Sequence, residues 1–201
     1  MATLKKTEQS LLGNAKKAPS QDEEGISIPK MTIAKAAEFL NVSVQAVHKK
    51  LQNKNITCPK VRNKAYLTHK LSKELFNIQF TPKKVVFQIV KGGTGKTTAL
   101  DNIASCLNSY GARVLMIDLD PQGNLTDAKG IDADSYPILI DVVCGEATIE
   151  DCIVNISEGL DLIPSRIENV VLENKIIYER INIQTFFDDV FQKIQKTTIL
   201  F

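Results

Sequence analysis

Residues 91–98, near the middle of the chain, combine three glycines with lysine and threonine in a short run. The run reads Lys91-Gly92-Gly93-Thr94-Gly95-Lys96-Thr97-Thr98. It follows an apolar segment, 85–90, that predicts a strand, and it precedes a segment with helical periodicity. Glycines let backbone amides turn inward around phosphate oxygens, and a helix N-terminus adds partial positive charge. The sequence therefore predicts a loop that binds a nucleotide polyphosphate.

Two side chains of this loop have the most specific predicted roles. Lys96 is expected to reach the β and γ phosphates, and the Thr97 hydroxyl is expected to ligate Mg²⁺. The usual form of such a loop has glycine at position 90, where this chain has valine, and it lacks the additional lysine at position 91. The cofactor-binding residues predicted from the sequence are Gly92, Gly93, Thr94, Gly95, Lys96, Thr97 and Thr98.

Two carboxylates follow the next apolar run. Asp118 and Asp120 come after Val114-Leu115-Met116-Ile117, in the order Asp-Leu-Asp-Pro. Ligands of open α/β sheets bind at the carboxyl ends of the strands, so we expect these side chains near the phosphate loop. For Asp118, a role in holding the turn and a role behind the metal ligands both remain open.

Residues 91–98 and 118–121 resemble the deviant Walker A box and the second box of the ParA and MinD superfamily. The resemblance implies ATP and Mg²⁺ as cofactors, and a homodimer that forms on ATP binding. It also implies catalytic roles for Lys91, Lys96 and Asp120. Lys91 would reach the partner's phosphates, whereas Asp120 would lie near Mg²⁺ and orient the attacking water. A small-molecule kinase is disfavoured because it would have an ordinary loop, without Lys91.

The charge of the chain is divided unevenly between its two halves. Residues 1–80 carry 14 Lys and Arg against 6 Asp and Glu, whereas residues 81–201 carry 11 against 17. A basic N-terminal half can bind polyanions by releasing their counterions. Charge alone is equally compatible with a solvated surface.

Residues 32–76 have the pattern of a small DNA-binding domain. Thr32 and Ser43 are predicted N-caps of two helices separated by a turn at Asn41, which resembles a helix-turn-helix. Two short strands around a basic turn at 62–64 resemble a wing, and Thr68 is the predicted cap of a third helix through Phe76. The residues predicted to contact DNA are Gln45, His48, Lys49, Arg62 and Lys64.

The order of the segments predicts an α/β fold. We expect an incomplete P-loop NTPase parallel sheet preceded by a small winged helix-turn-helix domain. The expected divisions are a tail at 1–28, the helix-turn-helix domain at 29–80, and the N-terminal part of a ParA-type ATPase domain at 84–201. Predicted strands lie at 85–90, 113–118 and 160–163, and predicted helices at 97–110, 138–144, 168–180 and 183–195.

The resemblance implies a plasmid or chromosome partition ATPase that binds DNA and works with a ParB-type centromere-binding partner. Larger ParA-type proteins of low-copy plasmids resemble this domain order and repress their own operons. The expected location is cytoplasmic, on the nucleoid or a plasmid, without a membrane partner. No strand ending in a Walker B aspartate is recognisable, so the sequence reads as truncated before that motif. The alternative is a non-enzymatic DNA-binding repressor with a remnant ATPase domain.

The cysteines and histidines give no metal-binding pattern. Cys144 and Cys152 are too far apart for a CxxC element, and reduced thiols are expected. His48 and His69 lack a matching ligand set, so surface positions are expected for both.

Overall fold

Two separate sheets, each with its own helices and apolar core, organise the chain. The structure is a computed structural model that describes residues 28, 30–88, 93–194 and 198–200. Apart from Ile28, the predicted tail at 1–28 lies outside these residues. No helix within the described part of the chain has the length and apolar character needed to cross a membrane.

Residues 30–77, here called the N-terminal module, contain three helices and a three-stranded antiparallel sheet. The helices are α1 (Ile33–Phe39), α2 (Val44–Asn53) and α3 (His69–Phe76), and the strands are β1 (Met31–Thr32), β2 (Lys60–Val61) and β3 (Lys64–Leu67). The sheet order is β1-β3-β2. Each helix begins at its predicted cap, because the hydroxyls of Thr32, Ser43 and Thr68 accept backbone amides three residues ahead.

The turns of the module use left-handed backbone. Asn41, between α1 and α2, has φ 52°, a conformation that asparagine adopts more readily than most residues. Arg62 and Asn63 connect β2 and β3 with φ values of 47° and 63°. Positive φ at both central residues is the geometry of a type I′ hairpin turn, which matches the twist of paired strands. The predicted hairpin is therefore present.

One apolar cluster holds the module together. Val47 and Leu51 project from α2 against the small residues Ala36 and Ala37 of α1, and all four are buried. The small side chains let the two helices approach closely. Met31, Ile33, Leu67 and Leu75 complete the cluster.

The remaining described residues form an α/β layer structure around a four-stranded sheet. Its strands are β4 (Arg113–Ile117), β5 (Val154–Ser157), β6 (Leu160–Ile163) and β7 (Thr198–Leu200), in the order β5-β6-β4-β7. Its helices are α4 (Lys96–Ser109), α5 (Asn124–Ala128), α6 (Leu139–Val143), α7 (Leu172–Tyr178) and α8 (Ile183–Ile194). Strand β4 is parallel to β6 and β7, and apolar clusters cover its two faces.

Two expectations about this sheet need correction. The predicted strand at 85–90 is not formed over 85–88, where Val86 is 81% exposed, and residues 89 and 90 lie outside the described part. Strand β4 pairs with β6 on one edge and with β7 on the other, so residues 85–88 have no free edge of β4 to pair with. Strands β5 and β7 were not predicted, and β5 runs antiparallel to β6 because residues 158–159 form a tight turn.

The N-terminal module packs against the α/β region at the C-terminal end of α4. Phe39, Phe76 and Tyr110 form an aromatic cluster with ring centroids 4.6–5.9 Å apart. Gly111 has φ +92°, and a Cβ there would lie 2.5 Å from the Lys73 Cα. The close approach of the two units therefore requires glycine at position 111.

His69 lies in this same interface, so the predicted surface position is wrong for this residue. It is 5% exposed, and a Cβ on Gly159 would lie 2.4 Å from its ring. Nearby, the Lys30 ammonium donates to the Ser157 hydroxyl at 2.8 Å. His69 is enclosed because the β5–β6 turn reaches across to α3, a long-range contact that helix periodicity cannot indicate.

Candidate nucleotide-binding site

The described part of the glycine-rich loop turns directly into α4. Gly93 and Gly95 have φ +70° and +82°, with nothing within 4 Å of the position a Cβ would take. Gly95 is the N-cap of α4, whose first residue is Lys96. Gly95 makes no side-chain cap bond, because glycine has no side chain with which to accept the first amides of the helix. Helix N-termini preceded by glycine can bind anions through such amides. Lys91 and Gly92 lie outside the described residues.

One cavity of about 400 Å³ contains several of the residues singled out in the sequence. Lys96 and Thr97 line it from the start of α4, and Asp118 and Asp120 line it from the end of β4. The carboxyl end of a parallel strand thus faces the N-terminus of the adjacent helix. The other lining residues are Lys84, Val85, Val86, Phe87, Leu100, Ile117, Leu119, Leu125, Phe187 and Phe191.

Asp120 is exposed and lies in a tight turn. One of its carboxylate oxygens accepts the Gln122 amide at 3.0 Å, and its own amide donates to Asp118 at 3.2 Å. Gly123 continues the turn with φ +64° and begins α5. The turn therefore fixes the backbone of Asp120 and leaves its second carboxylate oxygen for another partner.

Asp118 is buried directly behind this turn. Its second oxygen accepts both the amide and the hydroxyl of Thr126, at 3.0 and 2.8 Å. Burial raises the pKa of Asp118, and the hydrogen bonds from Thr126 and Asp120 act against that increase. These contacts hold the turn from behind Asp120, so the two roles left open for Asp118 are compatible with one another.

The residues predicted to contact DNA are exposed on the N-terminal module. Gln45, His48 and Lys49 lie on the outer face of α2, and Arg62 and Lys64 lie at the β2–β3 turn. Val47 and Leu51 occupy the opposite, buried face of α2. A single helix thus packs by one side and presents polar groups on the other.

Comparison with known proteins gives a family for the α/β region. The model of the AAA_31 family, described as an AAA domain, matches residues 82–198, which is more than half of the chain. The sporulation initiation inhibitor protein Soj of Bacillus subtilis is 40% identical over 89 residues, and the chromosome partitioning protein ParA of Caulobacter vibrioides is 46% identical over 77. The chain belongs to the ParA family.

The ParA-family alignments leave much of each relative unmatched. They cover 43% of this chain and 35% of Soj, and 37% of this chain and 29% of the Caulobacter protein. The chain thus spans about a third of the length of these curated relatives.

Solved structures agree with a ParA-like α/β fold. Cobyrinic acid a,c-diamide synthase from Mycobacterium smegmatis, with a bound ATP analog and magnesium, has a TM-score of 0.52 and 27% identity. That match covers 60% of this chain and 50% of the synthase. The ATP complex of an McdA variant from Cyanothece has a TM-score of 0.53 at 24% identity, covering 59% of this chain and 46% of McdA. The McdA match supports the fold alone.

Several residues that line the cavity had no signal in the sequence. Phe187 and Phe191 of α8 line it from a segment far from the loop in sequence, and Lys84 lines it from just before the predicted strand at 85–90. Lys84 lies 4.1 Å from the Phe191 ring centroid and pairs with Asp188 at 3.1 Å. The amphipathic pattern of α8 predicted a buried face but not which neighbour it would cover.

Proposed function

We propose that this chain is the nucleotide- and DNA-binding part of a partition ATPase. In this proposal, residues 91–98 bind Mg-ATP, Lys91, Lys96 and Asp120 act in phosphoryl transfer to water, and the N-terminal module binds DNA. The observation that carries the proposal is that Lys96, Thr97 and Asp120 line one cavity. Their separation in sequence makes this meeting a consequence of the fold rather than of local spacing.

The groups in the cavity suit a magnesium–triphosphate complex. Mg²⁺ prefers hard oxygen ligands and is held in nucleotide sites by one or two protein oxygens together with phosphate oxygens. The Thr97 hydroxyl and the Asp120 carboxylate supply such oxygens, and Lys96 supplies positive charge beside them. These groups would stabilise the negative charge of the ATP phosphates. Phosphoryl transfer depends mainly on such charge stabilisation and on positioning. The bound ATP analog and magnesium in the related synthase further support this choice of cofactors.

Nucleotide binding is tested by titrating Mg-ATP into the full chain and into Lys96→Ala. We expect the substitution to weaken binding by at least about tenfold, because a charge-assisted contact to phosphate is lost. Lys175→Ala is the matched control, since Lys175 is a lysine of α7 that does not line this cavity. Equal affinity for the wild type and Lys96→Ala would remove the proposed site.

DNA binding by the N-terminal module is supported by charge and exposure. Residues 1–80 carry the excess of basic residues, and Gln45 and Lys49 share the exposed face of a capped helix. Such a helix can enter a major groove while the β2–β3 turn, with Arg62 and Lys64, contacts the phosphate backbone. We propose that the module binds an operator and thereby represses the chain's own operon.

The DNA proposal is tested on a duplex from upstream of the chain's own gene and on a duplex of unrelated sequence. We expect Lys49→Ala to weaken binding and to reduce its salt dependence, whereas Lys175→Ala leaves both unchanged. Unchanged binding by Lys49→Ala would exclude α2 as the contact surface. Binding that responds to Lys49 but not to nucleotide would favour the non-enzymatic repressor.

The remaining parts of the proposal concern assembly. A homodimer formed on ATP binding, a ParB-type centromere-binding partner, and a cytoplasmic location on the nucleoid or a plasmid are proposed from membership of the ParA family. Size measurement with and without Mg-ATP tests the dimer, and a monomer under both conditions would contradict it.

A further inference from the structure

A chain of buried hydrogen bonds begins behind the Asp120 turn and runs deep into the α/β region. Asp118 accepts the amide of Asp120 with one oxygen, and the amide and hydroxyl of Thr126 with the other. Asp118 is 5% exposed and Thr126 is 1% exposed. A buried carboxylate that accepts three hydrogen bonds fixes the relative positions of all three donors.

The hydrogen bonds continue beyond Thr126. The Ser165 amide donates to the Thr126 hydroxyl at 3.0 Å, and the Asn169 side-chain amide donates to the Ser165 hydroxyl at 2.8 Å. The Asn169 side-chain carbonyl oxygen accepts the Ile140 amide at 3.3 Å, which connects this series of hydrogen bonds to α6. Ser165 and Asn169 are also almost fully buried, at 1% and 4% exposure.

We propose that Asp118, Thr126, Ser165 and Asn169 act together as positioning residues for Asp120. This inference rests on the proposed role of Asp120 beside Mg²⁺. Through the buried bonds, the 165–169 segment and α6 hold the turn that carries the metal-facing carboxylate. None of the four belongs to the phosphate loop, and Ser165 and Asn169 lie outside both boxes by which the family resemblance was recognised.

The physical reason for such an anchor lies in the exposure of Asp120. An exposed carboxylate on a short turn has conformational freedom that weakens its contribution to a metal site. The buried bonds remove that freedom from the backbone without occupying the second carboxylate oxygen of Asp120. Partners behind metal ligands commonly affect metal affinity about 10–100-fold when they are removed.

The bonds made by the Thr126 hydroxyl to Asp118 and Ser165 are tested with Thr126→Val, which keeps the side-chain shape and removes the hydroxyl. The affinity of the full chain for a fluorescent ATP analog is measured in Mg²⁺ and in EDTA, and the ratio of the two is the magnesium effect. We expect Thr126→Val to reduce the magnesium effect by about tenfold, or to abolish it, while binding in EDTA stays unchanged. Thr126→Ser restores the hydroxyl and should restore the magnesium effect.

Thr148→Val is the matched control. The Thr148 amide and hydroxyl donate to one Asp151 oxygen at 2.9 and 2.6 Å, the same pair of bonds outside the cavity lining. Its magnesium effect should equal that of the wild type. Where Thr126→Val does not fold, as judged by circular dichroism, Ser165→Ala tests the next bond and should also lower the magnesium effect. It removes the hydroxyl that accepts the Asn169 bond, whereas the bond from the Ser165 backbone amide to Thr126 remains.

The outcomes separate this inference from the proposed function. The positioning role is overturned if Thr126→Val keeps the full magnesium effect, or if it loses affinity equally in Mg²⁺ and in EDTA. Neither outcome contradicts the proposal that the wild type binds nucleotide. A wild type that binds nucleotide without any magnesium effect also overturns the positioning role. A wild type that binds no nucleotide in either condition removes the proposed function, and the inference falls with it.

Discussion

Gly123 is the residue of the Asp120 turn that depends most directly on the absence of a side chain. Its φ is +64°, and a Cβ there would lie 2.9 Å from the Ser165 carbonyl oxygen. Gly130, at the other end of α5, has almost the same φ, +67°, but open space around the Cβ position. The two glycines therefore separate the effect of backbone conformation from the effect of the contact with Ser165.

We expect Gly123→Ala to destabilise the protein more than Gly130→Ala. Both substitutions should cost about 1–2 kcal/mol because alanine is disfavoured in left-handed backbone. Gly123→Ala should cost roughly 1–3 kcal/mol more, since the Ser165 backbone must move away. Urea unfolding of the two variants and the wild type measures the difference. Equal losses of unfolding free energy in the two variants would show that the close contact with Ser165 does not restrict position 123.

At this scale, residue types in the sequence predicted part of the site. Lys96, Thr97 and Asp120 were assigned from the loop pattern and the family resemblance, and the fold brings them to one cavity. Ser165 and Asn169 could not be assigned, because an isolated serine or asparagine has many uses in a loop or a helix. Only the tertiary contact between the 163–169 segment and the β4–α5 turn gives them a position behind Asp118.

Among the secondary-structure elements, the β2–β3 hairpin carries an unusual residue at its turn. Arg62 has φ 47°, a conformation that costs a residue other than glycine or asparagine about 1–2 kcal/mol. A basic side chain at the tip of an exposed hairpin has a purpose if it contacts phosphate. The hairpin would then give up stability in favour of DNA affinity.

We expect Arg62→Asn to stabilise the N-terminal module by roughly 0.5–1 kcal/mol, because asparagine relieves part of the left-handed strain. If Arg62 makes the proposed phosphate contact, the same variant should bind DNA more weakly. Lys64→Asn removes the same charge from strand β3, where the backbone is not left-handed, so it should weaken DNA binding without stabilising the module. Thermal unfolding and DNA titration at fixed salt distinguish the two. No gain in stability for Arg62→Asn would contradict the account of strain.

At the level of elements, the sequence predicted local structure better than pairing. The caps Thr32, Ser43 and Thr68 and the apolar period of each helix specify where the helices begin, because those signals act within one turn. Strand partners are set by long-range contacts instead. The segment 85–88 has strand-like composition, yet within the described residues it forms no strand, whereas the short β7 pairs with β4.

For the whole molecule, the interface between the N-terminal module and the α/β region is sensitive to the charge of His69. Burial lowers the pKa of His69 below its ordinary value of 6.5, and the nearby Lys73 and Lys30 add to that decrease. Glu158 and a hydrogen bond to the backbone at Ala112 act in the opposite direction. The neutral imidazole is thus the form that fits between α3 and the β5–β6 turn.

A lowered pKa in the folded state gives a definite direction to the pH dependence. The contribution of neutral His69 is fully present above pH 6.5 and is lost as the pH falls through the lowered pKa of the folded protein. Between these two values the free energy of unfolding should fall by up to about 1.4 kcal/mol per pH unit.

We expect His69→Gln, which cannot be protonated, to reduce the loss of stability between about pH 7.5 and about pH 5.5. His48→Gln, on the exposed face of α2, should keep the wild-type loss. Urea unfolding at both pH values measures the effect, and equal pH dependence in the wild type and His69→Gln would show that protonation of His69 does not weaken the interface.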